Sequence, residues 1–122
     1  DYIIAIDADF SHSPETIPRF LEKIKTCDLV VGSRYVAGGK IENWNFFRKF
    51  ISRCGNFYAR VILGVPYRDL TCGFKCYRRA VLETLDLSSL SSVGYNFQIE
   101  TVYKAHCQGF HICEIPIVFT ER

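Results

Sequence analysis

Apolar residues in this chain fall into two patterns, unbroken runs and helical stripes, and these alternate along its length. Ile3-Ile4-Ala5-Ile6 is a run with no polar face, ending abruptly in Asp7-Ala8-Asp9. Such a run reads as a strand buried on both sides, as in the middle of a parallel sheet. Asp28-Leu29-Val30-Val31-Gly32 reads as a second strand. Between them Ile17, Phe20, Leu21 and Ile24 recur at i, i+3, i+4 and i+7. They follow Ser13-Pro14-Glu15, a helix start with serine as N-cap, proline at the first position and an acid in the first turn. A short helix joining two strands predicts a βαβ unit with parallel pairing.

Residues 33–45 read as loop, with Gly38-Gly39 in the middle. A long helix is predicted over about 45–63 and closed by Gly64. Its apolar stripe is Phe47, Phe50, Ile51, Cys54, Phe57, Tyr58, Val61 and Ile62. Further on, 71–77 is extended, 79–85 a short helix, 95–108 a helix stopped by Gly109, and 112–119 a last strand. Pro116 is tolerable in that strand at an edge or a bulge. The alternation predicts an α/β fold, a mixed sheet flanked by helices, in one domain or part of one. A strand opening at the second residue predicts a piece of a longer protein, with at least one strand-helix unit before Asp1.

The 122 residues suit one small domain with a single core, and 48% apolar content makes it globular rather than disordered. No window approaches the roughly 20 uninterrupted apolar residues of a membrane span. The net charge of +2 hides an asymmetry. Residues 1–33 hold three basic and six acidic side chains, whereas 34–60 hold six basic ones against Glu42 alone. The first block suits a metal and the second suits anions; no nucleic-acid motif accompanies it. The six cysteines form no CxxC pair and no zinc spacing, so they read as buried free thiols in a reducing compartment.

Asp7 and Asp9 would lie at the carboxyl end of a strand, where open α/β sheets keep their ligands. Like charges that close call for a cation between them, and Mg²⁺ shared with substrate phosphate oxygens is the natural choice. A calcium loop fails on spacing, because counting from Asp7 the turn glycine would be His12 and the bidentate acid Pro18. A phosphohydrolase with an aspartate nucleophile would need a later pair of adjacent acids, and the chain has none. Arg48 and Ser52 are i and i+4 on the long helix and could grip one phosphate together. Asp69 could orient Thr71 or an arginine, Glu100 could buttress the metal loop or pair with Arg122, and His12 could bond Asp9 or cap the helix.

Downstream of Asp-Ala-Asp come, in order, Gly32-Ser33-Arg34-Tyr35, Gly38-Gly39, Asn43-Trp44, Phe47-Arg48-Lys49, Asp69-Leu70-Thr71-Cys72-Gly73-Phe74-Lys75-Cys76-Tyr77-Arg78-Arg79, Gly94-Tyr95-Asn96-Phe97-Gln98-Ile99-Glu100 and Glu114 to Arg122. The series resembles the family 2 glycosyltransferases that act on polyprenyl phosphates, nearest the dolichyl-phosphate mannosyltransferase group, over essentially the whole chain. The resemblance implies a GT-A (Rossmann-like) fold, with 1–122 as the C-terminal portion of a single domain whose nucleotide-holding part precedes it. It implies inverting transfer from GDP-mannose to a polyprenyl or dolichyl phosphate, with Mg²⁺ or Mn²⁺. It places the reaction on the cytoplasmic face of a membrane, plasma membrane in a prokaryote or endoplasmic reticulum in a eukaryote.

Carried over by position, Asp7 and Asp9 match the metal pair and Ala8 lies against the diphosphate. Ser11 matches a third metal position that is glutamine in many members. Arg34 matches an arginine near the donor and, with Asp9, is assigned to catalysis. Arg48 and Ser52 match the acceptor-phosphate residues, and Arg122 an arginine closing over the donor site. A UDP-sugar donor on the same fold and an inactive structural fragment are the other readings. The aromatic, basic stretch 44–58 is the candidate for the headgroup layer, with burial in the core as its alternative.

Overall fold

A computed structural model describes residues 1–85 and 95–121. Strand β1 (Tyr2–Ala5) leads through a 3-10 turn (Pro14–Thr16) to helix α1 (Ile17–Lys23), then to β2 (Leu29–Ser33) and β3 (Lys40–Glu42). Helix α2 (Phe46–Leu63), β4 (Lys75–Arg78), α3 (Arg79–Thr84), α4 (Tyr95–Cys107), β5 (Ile112–Pro116) and β6 (Val118–Thr120) follow. The α/β alternation and the helix bounds agree with the sequence reading. Ser13 caps the 3-10 turn, its hydroxyl accepting from the Glu15 amide. Asn45 caps α2 in the same way, and Gly64 ends it at φ +68°, where a side chain would be strained.

The sheet corrects the predicted βαβ pairing. Its order is β1-β4-β2-β5, with β4 antiparallel to both β1 and β2, and β5 parallel to β2. β1 and β2 therefore run the same way but do not touch, because a later strand fills the slot between them. Burial differs between the two strands among the described residues. β2 is buried throughout, whereas Tyr2 and Ile3 of β1 are nearly half exposed. Among the described residues β1 bonds to β4 alone, and α1 packs chiefly on β4 and β5.

Alternation along β2 divides the core. Leu29 and Val31 join Tyr77, Val81, Val102 and Ala105 on the α3–α4 side. Val30 joins Phe20, Ile24, Phe74 and Cys76 on the α1 side. Leu21, the fourth member of the α1 stripe, is exposed. Lys75 of β4 is fully buried, and its ammonium donates to the Gln98 carbonyl and side-chain oxygens at 3.0 and 2.7 Å, tying α4 to the sheet. Burial pulls the Lys75 pKa down to about 8.

The stretch read as one loop contains β3, and the predicted last strand is two. Pro116 sits on the edge strand β5, opposite Ser33. At Ile117 the chain leaves the main sheet: its amide donates to Ser33 O, while its carbonyl accepts from the Lys40 amide. β6 then pairs parallel with β3 in a second, small sheet.

The cysteine expectation is also corrected. Cys72 and Cys76 are buried free thiols, but Cys54 and Cys107 are exposed, and Cys27 is disulfide-bonded to Cys113. The register Leu29↔Ile112 and Val30↔Cys113 brings Cys27, two residues before β2, to the start of β5. A bridge across 86 residues of sequence leaves no trace in local spacing.

Helix α2 is amphipathic in the reverse of the usual sense. Phe46, Phe47, Phe50, Ile51, Phe57, Tyr58, Val61 and Ile62 are each more than half exposed. The side toward the protein carries Ser52, Asn56, Ala59 and Leu63, of which Asn56 is buried. Asn56 Nδ2 donates to Ser52 O at 3.1 Å, and its Oδ1 accepts from the buried Leu70 amide at 2.7 Å. Asn56→Ala would leave that amide unpaired and should cost about 1–3 kcal/mol. The check is a lower urea midpoint with unchanged slope.

Candidate active site

The polypeptide leaves β1 at Ala5 and turns through Ala8-Asp9, with Phe10 at φ +63°, a conformation uncommon for a residue with a side chain. The turn is held from within. The Ser11 amide and hydroxyl both donate to Asp9 Oδ1, the amide at 3.0 Å. Those bonds, the hydroxyl's first, lower the Asp9 pKa below the usual carboxylate value and keep it ionised. It is also held from outside, since Ser11 O accepts from the Thr120 amide and His12 bridges to Phe119. β6 thus closes onto the acidic turn.

His12 is buried between the rings of Phe74 and Phe119, at centroid distances of 5.1 and 5.3 Å. Its Nε2 lies 3.4 Å from Asp7 Oδ2, too far for a good hydrogen bond, and neither ring nitrogen has a hydrogen-bond partner. Burial lowers its pKa, so the imidazole is neutral near pH 7. His12 therefore neighbours Asp7 rather than Asp9, and the helix cap belongs to Ser13.

Arg34 follows β2 and is almost completely buried. Its Nε and Nη2 donate to the two oxygens of Asp69 at 2.8 and 2.9 Å, and its backbone amide donates to Asp69 Oδ2 at 3.0 Å. Nη2 also donates to Thr71 Oγ1 at 2.8 Å. Burial opposes the guanidinium charge, but the bound Asp69 carboxylate outweighs it and raises the Arg34 pKa. Asp69 is fully buried, and its amide donates to Glu114 of β5. The rings of Tyr35, Trp44 and Phe119 surround the guanidinium at 5.3–5.6 Å.

Arg48, in the first turn of α2, stacks on Trp44 at 4.1 Å and pairs with Glu121. One turn on, the Ser52 hydroxyl bonds the Tyr35 hydroxyl.

These side chains converge. A cavity of about 210 Å³ is lined by Asp7, Asp9, Ser11, His12, Arg34, Arg48, Thr71, Gly73, Phe119 and Glu121, among others. A second, of about 250 Å³ and mostly apolar, shares Arg34, Arg48 and Thr71 and adds Trp44, Ile51, Ser52, Gly55 and Asn56. Arg34 thus stands in the wall between the two. Arg34 is held by Asp69 and Arg48 by Glu121, while Asp7 and Asp9 face the first cavity with a hydroxyl, an amide and a neutral imidazole around them. Two exposed carboxylates in that setting fit a hard divalent cation with an anionic ligand completing its shell.

The predicted residues Asp7, Asp9, Ser11, Arg34 and Arg48 therefore meet in one cavity, and Ser52 lines the next. Ala8 is exposed in the turn between the acids. Arg122 lies outside the described residues. The Ser11 hydroxyl is engaged in orienting Asp9. Glu100 pairs with Lys104 on its own helix at 3.1 Å. Asp69 does hold an arginine. Sequence reasoning missed Glu121 as the partner of Arg48, Asn56 as the anchor of α2, and Gly73. The glycine could have been found in Cys72-Gly73-Phe74, since a glycine between buried residues marks a close approach. A Cβ there would lie 2.8 Å from Asp7 Oδ1.

Comparison with known proteins adds the following. The model of the family described as glycosyl transferase family 2 matches residues 1–86. Over 122 residues the chain is 45% identical to a Micrococcus luteus protein named undecaprenyl-phosphate mannosyltransferase, covering 100% of this chain and 50% of that one. Over 121 residues it is 46% identical to a Mycolicibacterium smegmatis protein named polyprenol monophosphomannose synthase, covering 98% of this chain and 46% of that one. The chain thus spans about half the length of these curated relatives.

Gly73→Ala must displace the Asp7 carboxylate. It should weaken any Mn²⁺ binding at the acidic turn, titrated calorimetrically, by about tenfold or more, the scale seen when support around metal ligands is lost. Thermal unfolding should change little.

Proposed function

The chain belongs to glycosyl transferase family 2, and on that footing we propose that the protein containing it transfers mannose from GDP-mannose to a polyprenyl (dolichyl) phosphate, with inversion at the sugar carbon. The observation carrying this reading is the convergence of Asp7 and Asp9 with Arg34 and Arg48 on one cavity. The names of the two relatives supply the mannose and the polyprenyl phosphate. The GDP donor rests on the resemblance of Gly38-Gly39 and Asn43-Trp44 to the mannosyl group.

Asp7 and Asp9 would hold Mg²⁺ or Mn²⁺, which supplies positive charge to the departing diphosphate. Ser11 keeps Asp9 ionised and aimed, and Ala8 leaves the floor of the turn free for the diphosphate. Arg34, immobilised by Asp69 and Thr71, presents a fixed guanidinium between donor and acceptor, its charge shared with Asp69. Arg48 exchanges the Glu121 carboxylate for the acceptor phosphate, a swap of one anion for another that suits its forked geometry. Ser52 donates to the same phosphate from one turn along α2. The lipid phosphate is already an anion near neutral pH, so no strong general base is needed. The neutral, enclosed His12 supports the Asp7 side of the turn. Arg122 would add charge over the donor after β6.

The acceptor's hydrocarbon tail stays in lipid, so the enzyme must meet a membrane, on its cytoplasmic face in this reading. The exposed apolar side of α2, with Arg48, Lys49 and Arg53 beside it, is suited to the headgroup layer. No described helix is long and apolar enough to cross a membrane.

The deciding assay offers the full-length protein GDP-mannose or UDP-glucose with a short polyprenyl phosphate. Transfer should occur with GDP-mannose and Mg²⁺ or Mn²⁺. Asp9→Asn should reduce it by about 10³-fold or more, with circular dichroism unchanged. Transfer from UDP-glucose instead would move the assignment to a polyprenyl-phosphate glucosyltransferase.

Phe50→Glu should separately weaken co-sedimentation with anionic phospholipid vesicles by about tenfold, since it places a charge in the apolar face. Its fold should persist because the residue is exposed.

A further inference from the structure

A second cluster lies at the opposite end of β2 and β5 from Arg34. Cys27 immediately precedes Asp28 and β2, Cys113 is the second residue of β5, and His111 stands just before that strand. One ligand atom from each lies within 4.8 Å of the others. It is the one set of three such side chains found among the described residues. The catalytic reading uses none of them.

The histidine is prepared in a particular way. His111 Nδ1 lies 3.2 Å from the Thr26 carbonyl oxygen. A carbonyl can only accept, so Nδ1 carries the proton and Nε2 keeps its lone pair. Nε2 is the nitrogen that faces Cys113, 3.8 Å from its sulfur. A ring N–H donated to a backbone carbonyl, with the other nitrogen turned toward sulfur, is the arrangement that orients metal-bound histidines. The His111 backbone is held too: its amide donates to Asp28 Oδ2 at 2.8 Å, and its carbonyl accepts from the Asp28 amide at 2.8 Å. Two sulfurs and a directed imidazole nitrogen are the donor set of a borderline-soft ion, distinct from the oxygen donors of the carboxylate turn.

We propose that Cys27, His111 and Cys113 form a redox-gated site for a divalent cation of the zinc class, closed by the disulfide and opened by its reduction. A dithiol or two monothiols supply two electrons and two protons. The protein S–S bond breaks to give two thiols, and the reductant leaves as a disulfide. On binding, each thiol releases its proton, so that two thiolates and the neutral imidazole hold the ion while two protons go to solvent. The remaining position is open to water. Cys27 is buried but Cys113 is partly exposed and His111 exposed, so ion and reductant can reach the cluster from the Cys113 side.

The test uses full-length protein carrying Cys54→Ser and Cys107→Ser, which removes the exposed unpaired thiols found among the described residues. Cd²⁺ alone is titrated into the reduced and the oxidised forms, reading thiolate-to-cadmium charge-transfer absorption. The band should saturate at one Cd²⁺ per reduced chain and be absent from the oxidised chain, where any Cd²⁺ on Asp7 and Asp9 gives no thiolate absorption. Cys113→Ser should abolish the band, and His111→Ala, at an exposed position, should weaken binding at least tenfold. No band in the reduced protein at saturating Cd²⁺ overturns the proposal. So does a band that survives Cys113→Ser, or an affinity that His111→Ala leaves unchanged. Unfolding curves for both variants separate loss of binding from loss of fold.

Discussion

The buried ion pair between Arg34 and Asp69 ties together the parts that make the site. Arg34 comes from the end of β2 and Asp69 from the connection between α2 and β4. The same connection is fastened to α2 through Asn56 and Leu70, and to β5 through Glu114. An arginine and an aspartate with almost no exposure would each be costly alone, by several kcal/mol. Together, with Thr71 and a backbone amide completing the bonds, they hold one geometry. Removing either partner would leave an uncompensated charge beneath both cavities.

On this support the fold separates two cavities of different character. The acidic turn after β1 is shaped by Ser11 from one side and by β6 from the other, and it faces the first cavity. The mostly apolar second cavity runs along α2, whose outward face is apolar as well. A helix that turns polar side chains inward and phenylalanines outward gains little by packing on the described residues. Its outward face contains far more contiguous apolar surface than a solvated helix needs. Membership of glycosyl transferase family 2 implies a GT-A fold, and the mixed sheet with flanking helices is consistent with it.

Local chemistry was legible where one residue decides the outcome. Ser13-Pro14-Glu15 announced a helix start, and Asn45 with Gly64 bounded α2 at both ends, because caps depend on neighbours within a turn. The pairing of β1 was not legible. A connection of about twenty residues fixes strand direction but not whether a later strand enters the gap, and β4 does so from some 45 residues further along. Likewise the stripe on α2 was visible as a stripe, yet its period carries no sign that says inward or outward. Asp7 and Asp9 could be named because two carboxylates at a strand end call for a cation, and Arg34 through the resemblance of Gly32-Ser33-Arg34-Tyr35 to a known family. Glu121 and Asn56 could not, since their roles exist only through partners 73 and 14 residues away.

The sequence by itself determined the alternation of elements, their caps, the acidic turn and the basic character of α2, all of which arise from interactions within a few residues. Tertiary structure alone decided which strands are neighbours, which face of α2 meets the protein, which arginine is locked and which is held by an exchangeable partner, and that Cys27 meets Cys113. The reason is that hydrogen-bond pairing, burial and charge neutralisation depend on distances in space, and chain closure sets those distances over many tens of residues at once.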